Sequence, residues 1–192
     1  MENIILASKS PRRNEILKKF IEFERVSSDI NEIKDNDFPA EITVMGLAYE
    51  KGIKVASEHE NSVVISADTI VEYNGELLGK PKDRREAKQM IEKLSGKTHN
   101  VFTAYAIFKI SENIKYVDFE KSEVKFYNLS EDDIEKYLDT EEYVDKAGAY
   151  GIQGYGSLLV DKINGDFFNI VRLPISKIAR DLKRILNINL WW

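Results

Sequence analysis

Apolar positions along the chain change period several times, and the changes divide it into short strands and helices. Ile4 to Ala7 is an unbroken apolar run closed by Ser8-Lys9-Ser10-Pro11. It is too short for a helix and suits a buried strand. Ser10 followed by Pro11 predicts a helix start, since the serine hydroxyl can accept from a free N–H of the first turn and proline loses no hydrogen bond there. Ile16, Leu17 and Phe20 continue on one face. Phe23 to Ser28 predicts a second strand, Asp35 to Pro39 a polar loop, and Glu41 to Glu58 a helix. In that helix Val44, Leu47, Ala48 and Val55 share a stripe, with Lys51 at its edge.

Ser62 to Ala67 predicts a compact strand running into Asp68-Thr69. Ile70 to Tyr73 and Glu76 to Gly79 flank Asn74-Gly75, a pair that favours the tight type I′ turn and so a hairpin. Asp83 opens a helix with Ala87, Met90, Ile91 and Leu94 on one face and Gly96 as its stop. Val101 to Ile110 and Tyr116 to Phe126 read as long strands joined at Ser111-Glu112-Asn113. Ser130 with Asp133 resembles a capping box for a helix through Leu138. After a glycine-rich passage from Gly148 to Gly156, Ser157 to Val160 predicts a strand, and Ile175, Ile178, Leu182 and Ile185 mark a closing helix. The expected class is α/β with a mixed sheet, because hairpins in the middle exclude a purely parallel one.

Composition narrows the functions open to this pattern. A chain of 192 residues fits one domain, or two small lobes sharing a sheet. Its net charge of −5 argues against a protein that grips a nucleic-acid backbone. A small anionic ligand stays open, since a few cations in one cleft suffice for it. The absence of cysteine excludes disulfides, thiolate metal sites and a cysteine nucleophile. No apolar run is long enough to span a membrane, and Met1 to Ser8 lacks the features of a signal peptide. The expected location is the cytoplasm, with no membrane partner.

Four segments carry candidate chemistry. Ser8-Lys9-Ser10-Pro11-Arg12-Arg13 puts two hydroxyls and three cations where a strand hands over to a helix N-terminus. Free N–H groups and the helix dipole favour an anion there, whereas cations alone oppose the dipole. Asp68, expected at the end of a buried strand, either caps a turn or holds Mg²⁺ and orients water. Lys51 and Lys80 are either solvated or phosphate contacts. Gln153, among four glycines between 148 and 156, either sits in a flexible loop or reads a base edge with its amide. His59 and His99 lack a spaced partner and read as structural.

These segments, taken in order, resemble the Maf family of nucleotide pyrophosphatases. The match runs through Leu6-Ala7-Ser8-Lys9-Ser10-Pro11-Arg12-Arg13, Ser66-Ala67-Asp68-Thr69-Ile70-Val71 and Leu78-Gly79-Lys80-Pro81. It continues through Leu94-Ser95-Gly96-Lys97-Thr98-His99-Asn100-Val101, the stretch from Asp145 to Gly154, and Asn169-Ile170-Val171-Arg172-Leu173-Pro174. The resemblance implies a single Maf-like domain over residues 1–192: a mixed twisted β-sheet flanked by helices, in two lobes around a central cleft, akin to the ITPase-like house-cleaning triphosphatases.

It further implies hydrolysis of a nucleoside triphosphate to the monophosphate and pyrophosphate with a divalent cation, Mg²⁺ or Mn²⁺. By the same resemblance Asp68 matches the catalytic base, and Glu32 an acidic residue that shares the metal with it. Ser8, Ser10, Arg13, Lys51 and Lys80 match phosphate-binding positions. Arg12, Thr69 and Gln153 match the branch of the family that favours dTTP and UTP, with modified pyrimidine nucleotides as further candidates. A homodimer is compatible with the resemblance. The rival reading is a non-catalytic nucleotide-binding regulator of septum formation and cell division. Arg172 departs from the family, which commonly has glycine there, and an arginine would be strained if that position needs positive φ.

Overall fold

A computed structural model describes residues 2–27 and 38–191. Strand β1 (Ile4–Ala7) leads through a short loop into helix α1 (Pro11–Leu17), and β2 (Glu24–Val26) returns parallel to β1. Helix α2 (Ala40–Glu58) precedes β3 (Val63–Tyr73), which pairs in parallel with β1 on its other side. From there the sheet turns antiparallel: β4 (Glu76–Leu78) folds back on β3, and β5 (Thr98–Lys109), β6 (Ile114–Phe126) and β7 (Val160–Asn164) follow in space. The order is β2-β1-β3-β5-β6-β7, with β4 on β3 off that path, seven strands in one mixed sheet.

Alternation along β1 and β3 assigns the helices to faces. Ile4, Leu6, Val63, Ile65 and Ala67 pack with α1 and the closing helix α6 (Ile175–Leu186). Ile5, Ala7 and Val64 face the other way, onto Val55 and Ala56 of α2. The far half of the sheet has its own core, where Val71, Val101 and Phe126 meet α3 (Arg84–Leu94), α4 (Glu131–Asp139) and the glycine-rich segment. A short α5 (Phe167–Ile170), absent from the sequence reading, precedes α6.

The sheet also explains where a cleft can form. Along one edge of β3, β1 covers Val63 to Ser66 and β4 covers Val71 to Tyr73. Between them residues 67–70 have no strand on that side, while β5 pairs the opposite edge without interruption. The gap leaves backbone N–H and C=O groups that must find other partners or water.

Three expectations are corrected. Asp68 does not end a strand; it lies midway along the eleven residues of β3. The expected end is instead the end of the parallel pairing, since Ser66 is the last residue to face β1. The last strand is not Ser157–Val160 but Val160–Asn164, because Tyr155–Leu159 winds into a 3₁₀ turn with Leu158 turned to solvent. Within Phe23–Ser28 the described strand covers only Glu24–Val26. Ser28, Glu32 and most of the Asp35–Pro39 loop lie outside the described residues.

Candidate active site

The gap on β3 opens into a cleft of about 790 Å³. Its first wall begins where β1 ends. The Ser8 hydroxyl accepts from Ser10 N (3.2 Å), and Ser10 caps α1 by accepting from Arg13 N (3.5 Å). This local bonding turns Arg13 inward, and its guanidinium is only 6% exposed as a residue. Nε donates to the Arg172 carbonyl (3.0 Å), and the two terminal nitrogens donate to the Ser8 hydroxyl (3.3 Å) and to Thr69 Oγ1 (3.3 Å). One of them also lies 3.8 Å from Asp68 Oδ1. Arginine suits the position because its planar fork can serve several acceptors at once.

Thr69 has a fixed role in this network. Thr103 donates its single hydroxyl proton to Asn169 O (2.8 Å), so the 2.9 Å contact between the two threonines is donated by Thr69. The order Arg13 to Thr69 to Thr103 to Asn169 C=O therefore runs in one direction. It ties the wall to β5 and α5.

Asp68 points to the other face of β3, where α2 packs. Gly52 makes that packing close: a Cβ there would meet the Phe108 ring and Ser66 Oγ, which donates to Ala48 O (2.6 Å). Close approach brings Lys51 Nζ to 2.8 Å from Asp68 Oδ1, both side chains 12% exposed. Asp68 thus sits between Lys51 and Arg13, at the floor of the gap.

The second wall is the segment from Glu141 to Gly156. Gly148 N donates to Gly79 O (3.1 Å), which brings the segment beside Lys80; Lys80 itself is exposed and pairs with Asp145 at 3.6 Å. Glu142 accepts from the N–H groups of Tyr155 (3.0 Å) and Gly156 (3.1 Å) and so folds the segment back on itself. Gly156 can only be glycine, since a Cβ there would run into the backbone of Gly151. Tyr150 anchors the segment to β5 through its hydroxyl, 2.7 Å from His99 Nε2. His99 is structural, as the sequence suggests: burial lowers its pKa to about 4.

All the named cleft residues outside 28–37 line this one cavity: Ser8, Ser10, Arg12, Arg13, Lys51, Asp68, Thr69, Lys80 and Gln153. Glu32 lies outside the described residues. Lys9 of the first segment lines the cavity too, and two further lining cations were not among the candidates. Lys146 has its pKa lowered by burial and then by Arg12 and Arg172. Arg172 has a positive φ, +81°, so the condition under which an arginine is strained there is met. A lysine preceding a glycine run was the available signal for the first, and the departure from glycine for the second. Among the described lining residues seven are Lys or Arg and three are Asp or Glu, in a chain of net charge −5. That inversion of sign makes a receptacle for a polyanion.

A small inner recess of about 20 Å³ adjoins this outer chamber, lined in part by Val71, Val101, Tyr150, Gly151 and Ile152. Arg12, Thr69, Gln153 and Arg172 border both spaces. The outer chamber has the volume and the charge that a nucleoside polyphosphate requires, whereas the recess has room for about one water. The family model described as Maf-like protein matches residues 3–185. The chain belongs to the Maf-like family.

Relatives within this family are similar over almost their whole length. The dTTP/UTP pyrophosphatase of Clostridioides difficile strain 630 is 51% identical, over 99% of this chain and 98% of its own. The protein of the same name from Pyrococcus abyssi is 50% identical, over 94% of this chain and 95% of its own. Among solved structures, the Ham1 protein of Staphylococcus aureus aligns with 65% of this chain and 72% of its own, at 14% identity and a TM-score of 0.47.

Proposed function

We propose that this Maf-like chain hydrolyses dTTP and UTP to the nucleoside monophosphate and pyrophosphate, a house-cleaning activity on the nucleotide pool. The carrying observation is that Asp68, the deepest carboxylate of the cleft, lies between two cations that a polyphosphate can draw away. The names of the full-length relatives support the pyrimidine substrates. A non-catalytic regulator of cell division is not favoured, because relatives alike over the whole chain are named as pyrophosphatases.

With phosphate oxygens in the outer chamber, Arg13, Lys51 and Lys80 neutralise their charge, and the loop from Ser8 to Ser10 adds hydroxyl and N–H groups. Lys51, now paired with phosphate, releases Asp68 to orient a water at the α-phosphorus and take its proton. Electrons from the water oxygen form the new P–O bond as the bond to the β-phosphate oxygen breaks, and pyrophosphate leaves toward Lys80. Arg12, Thr69 and Gln153 line the outer chamber where it meets the recess and select the pyrimidine.

No group of three metal-capable side chains occurs among the described residues. One carboxylate facing a triphosphate nonetheless fits Mg²⁺ or Mn²⁺, which bind through one or two carboxylates together with substrate oxygens. Asp68, with Glu32 as its proposed companion, would hold the cation, which when bound supplies further charge neutralisation on the phosphates. The proposed compartment is the cytoplasm, where the nucleotide pool is; among the described residues no helix is long and apolar enough to cross a membrane. A single domain and a homodimer complete the proposal, on the family resemblance.

The test is pyrophosphate release from dTTP, UTP and the purine triphosphates, with and without Mg²⁺ or Mn²⁺. Asp68→Asn should lower kcat by about a thousandfold, within the range for loss of a general base, with the fold retained. Wild-type turnover in that variant would remove Asp68 from its role.

A further inference from the structure

We infer that Arg172 grips the α-phosphate of the substrate, beside Asp68 and Arg13. The inference rests on the nucleotide reading above and assigns a residue that reading leaves without a task. Arg172 follows α5, and its N–H donates to Asn169 O (2.9 Å) in a tight turn that ends with φ at +81°. Glycine adopts that conformation freely and a long side chain does not. The backbone contact of the turn, the carbonyl that accepts from Arg13 Nε, is available whichever residue stands here. The fold therefore asks only for a carbonyl at this point, and the arginine side chain is an addition that strains it.

The added charge is also placed where folding alone gains nothing. Arg13 and Arg12 are its cationic neighbours, with Asp68 and Asp145 the opposing charges, and no hydrogen bond or ion pair among the described residues holds its guanidinium. Burial first, then Arg13 and Arg12, lowers its pKa to about 10. A half-buried fork of five donors, beside two other arginines and with no protein acceptor among the described residues, is suited to an incoming anion.

Its neighbours say which anion. Arg172 lines the outer chamber, where its charged neighbours include Arg13 and Asp68. Asp68 is the group that the proposed reaction sets at the α-phosphorus, so the phosphate within reach of both is the α-phosphate. This phosphate stays on the monophosphate product, whereas pyrophosphate takes away the other two. Arg172 therefore contacts one product and not the other.

Calorimetric titration with UMP and with magnesium pyrophosphate tests this on the full chain, alongside steady-state UTP turnover and melting without ligand. Arg172→Gly keeps the carbonyl and relieves the φ. It should melt higher than the parent while binding UMP about 30-fold more weakly, the loss expected for a charged hydrogen-bond pair, with pyrophosphate affinity changed less than about threefold. Arg172→Lys keeps charge and strain and should fall between the two for UMP, without the gain in melting temperature. Equal weakening toward UMP and pyrophosphate, or no weakening at all, overturns the inference. If the parent releases no pyrophosphate from dTTP or UTP, the proposed activity fails, and the UMP contrast still decides the role of Arg172.

Discussion

The wall from Ser8 to Arg13 and the wall from Glu141 to Gly156 face the same cleft but are held by different means. The first follows directly from a strand end and a capped helix, and its central cation is buried with each guanidinium nitrogen bonded. The second contains no α-helix and takes left-handed backbone at Glu141, Asp145, Gly148 and Ala149. The cation it packs beside, Lys80, is exposed, and its own Lys146 is half-buried. The first wall is preorganised for charge before substrate arrives, as electrostatic stabilisation of a transition state requires. The second positions its groups through backbone strain, offset by a few contacts to Glu142, His99 and the end of β4.

Removing one cation from each wall exposes the contrast most sharply. Arg13→Ala should lower kcat/KM for UTP by about a thousandfold, since it deletes a preorganised donor from a water-poor site, a loss of about 4 kcal/mol in the transition state. Lys80→Ala should cost about tenfold, because an exposed cation is screened and replaceable. Losses of the same size from the two variants would mean that preorganisation is not what separates the walls.

A second contrast is set by pH. The first wall holds no histidine, while the second is tied to β5 through His99 and Tyr150. His99 is 1% exposed, and burial lowers its pKa from 6.5 to about 4 in the folded protein. Its Nδ1 has no partner among the described residues, so the protonated ring would bury a charge with one N–H lacking an acceptor. The unfolded chain takes up this proton below about pH 6.5 and the folded chain only near pH 4. The contribution to stability is therefore intact above pH 6.5, falls as the pH drops between these values, and amounts to about 3 kcal/mol in all. Urea unfolding of the parent and of His99→Gln at several pH values isolates it: the difference in pH slope between them should vanish above pH 6.5. A parent whose acid sensitivity matches that of His99→Gln throughout would show that His99 is protonated in the fold.

The same division governs what could be read from the sequence. Caps are local chemistry, and Ser10, Asp83 and Ser130 each occupy the expected position. The Asn74-Gly75 hairpin and the faces of α2, α3 and α6 are equally local. Asp68 was identified by its chemistry but misplaced at a strand end, because nothing in the apolar run between Ser62 and Tyr73 reveals that β1 stops pairing at Ser66. Lys146 and Arg172 fall outside local rules altogether. Their surroundings are each other, Arg12 and the glycine-rich backbone, brought together only when β5, β6 and α5 are in place. The misplaced last strand has the same origin, since Leu158-Leu159-Val160 is apolar, but Glu142, 13 residues from Tyr155, turns its start into a 3₁₀ helix.

Glu142 gives the smallest and most selective way to test how the second wall is held. Its two carboxylate oxygens accept from Tyr155 N and Gly156 N, and it stands partly exposed, so water can replace part of what it provides. Glu142→Gln keeps one acceptor and turns an amide donor toward an N–H, a net loss of about 1 kcal/mol. For a chain of this size that lowers Tm by about 3 °C. Loosening this segment displaces Gln153 and the part of the cleft it lines without touching Arg13, Lys51 or Asp68. The KM for UTP should accordingly rise about threefold at nearly constant kcat, the signature of lost uniform binding. A fall in kcat with KM unchanged would instead place the second wall among the groups that act in the transition state, and the contrast between preorganised and strained walls would then describe their construction but not their use.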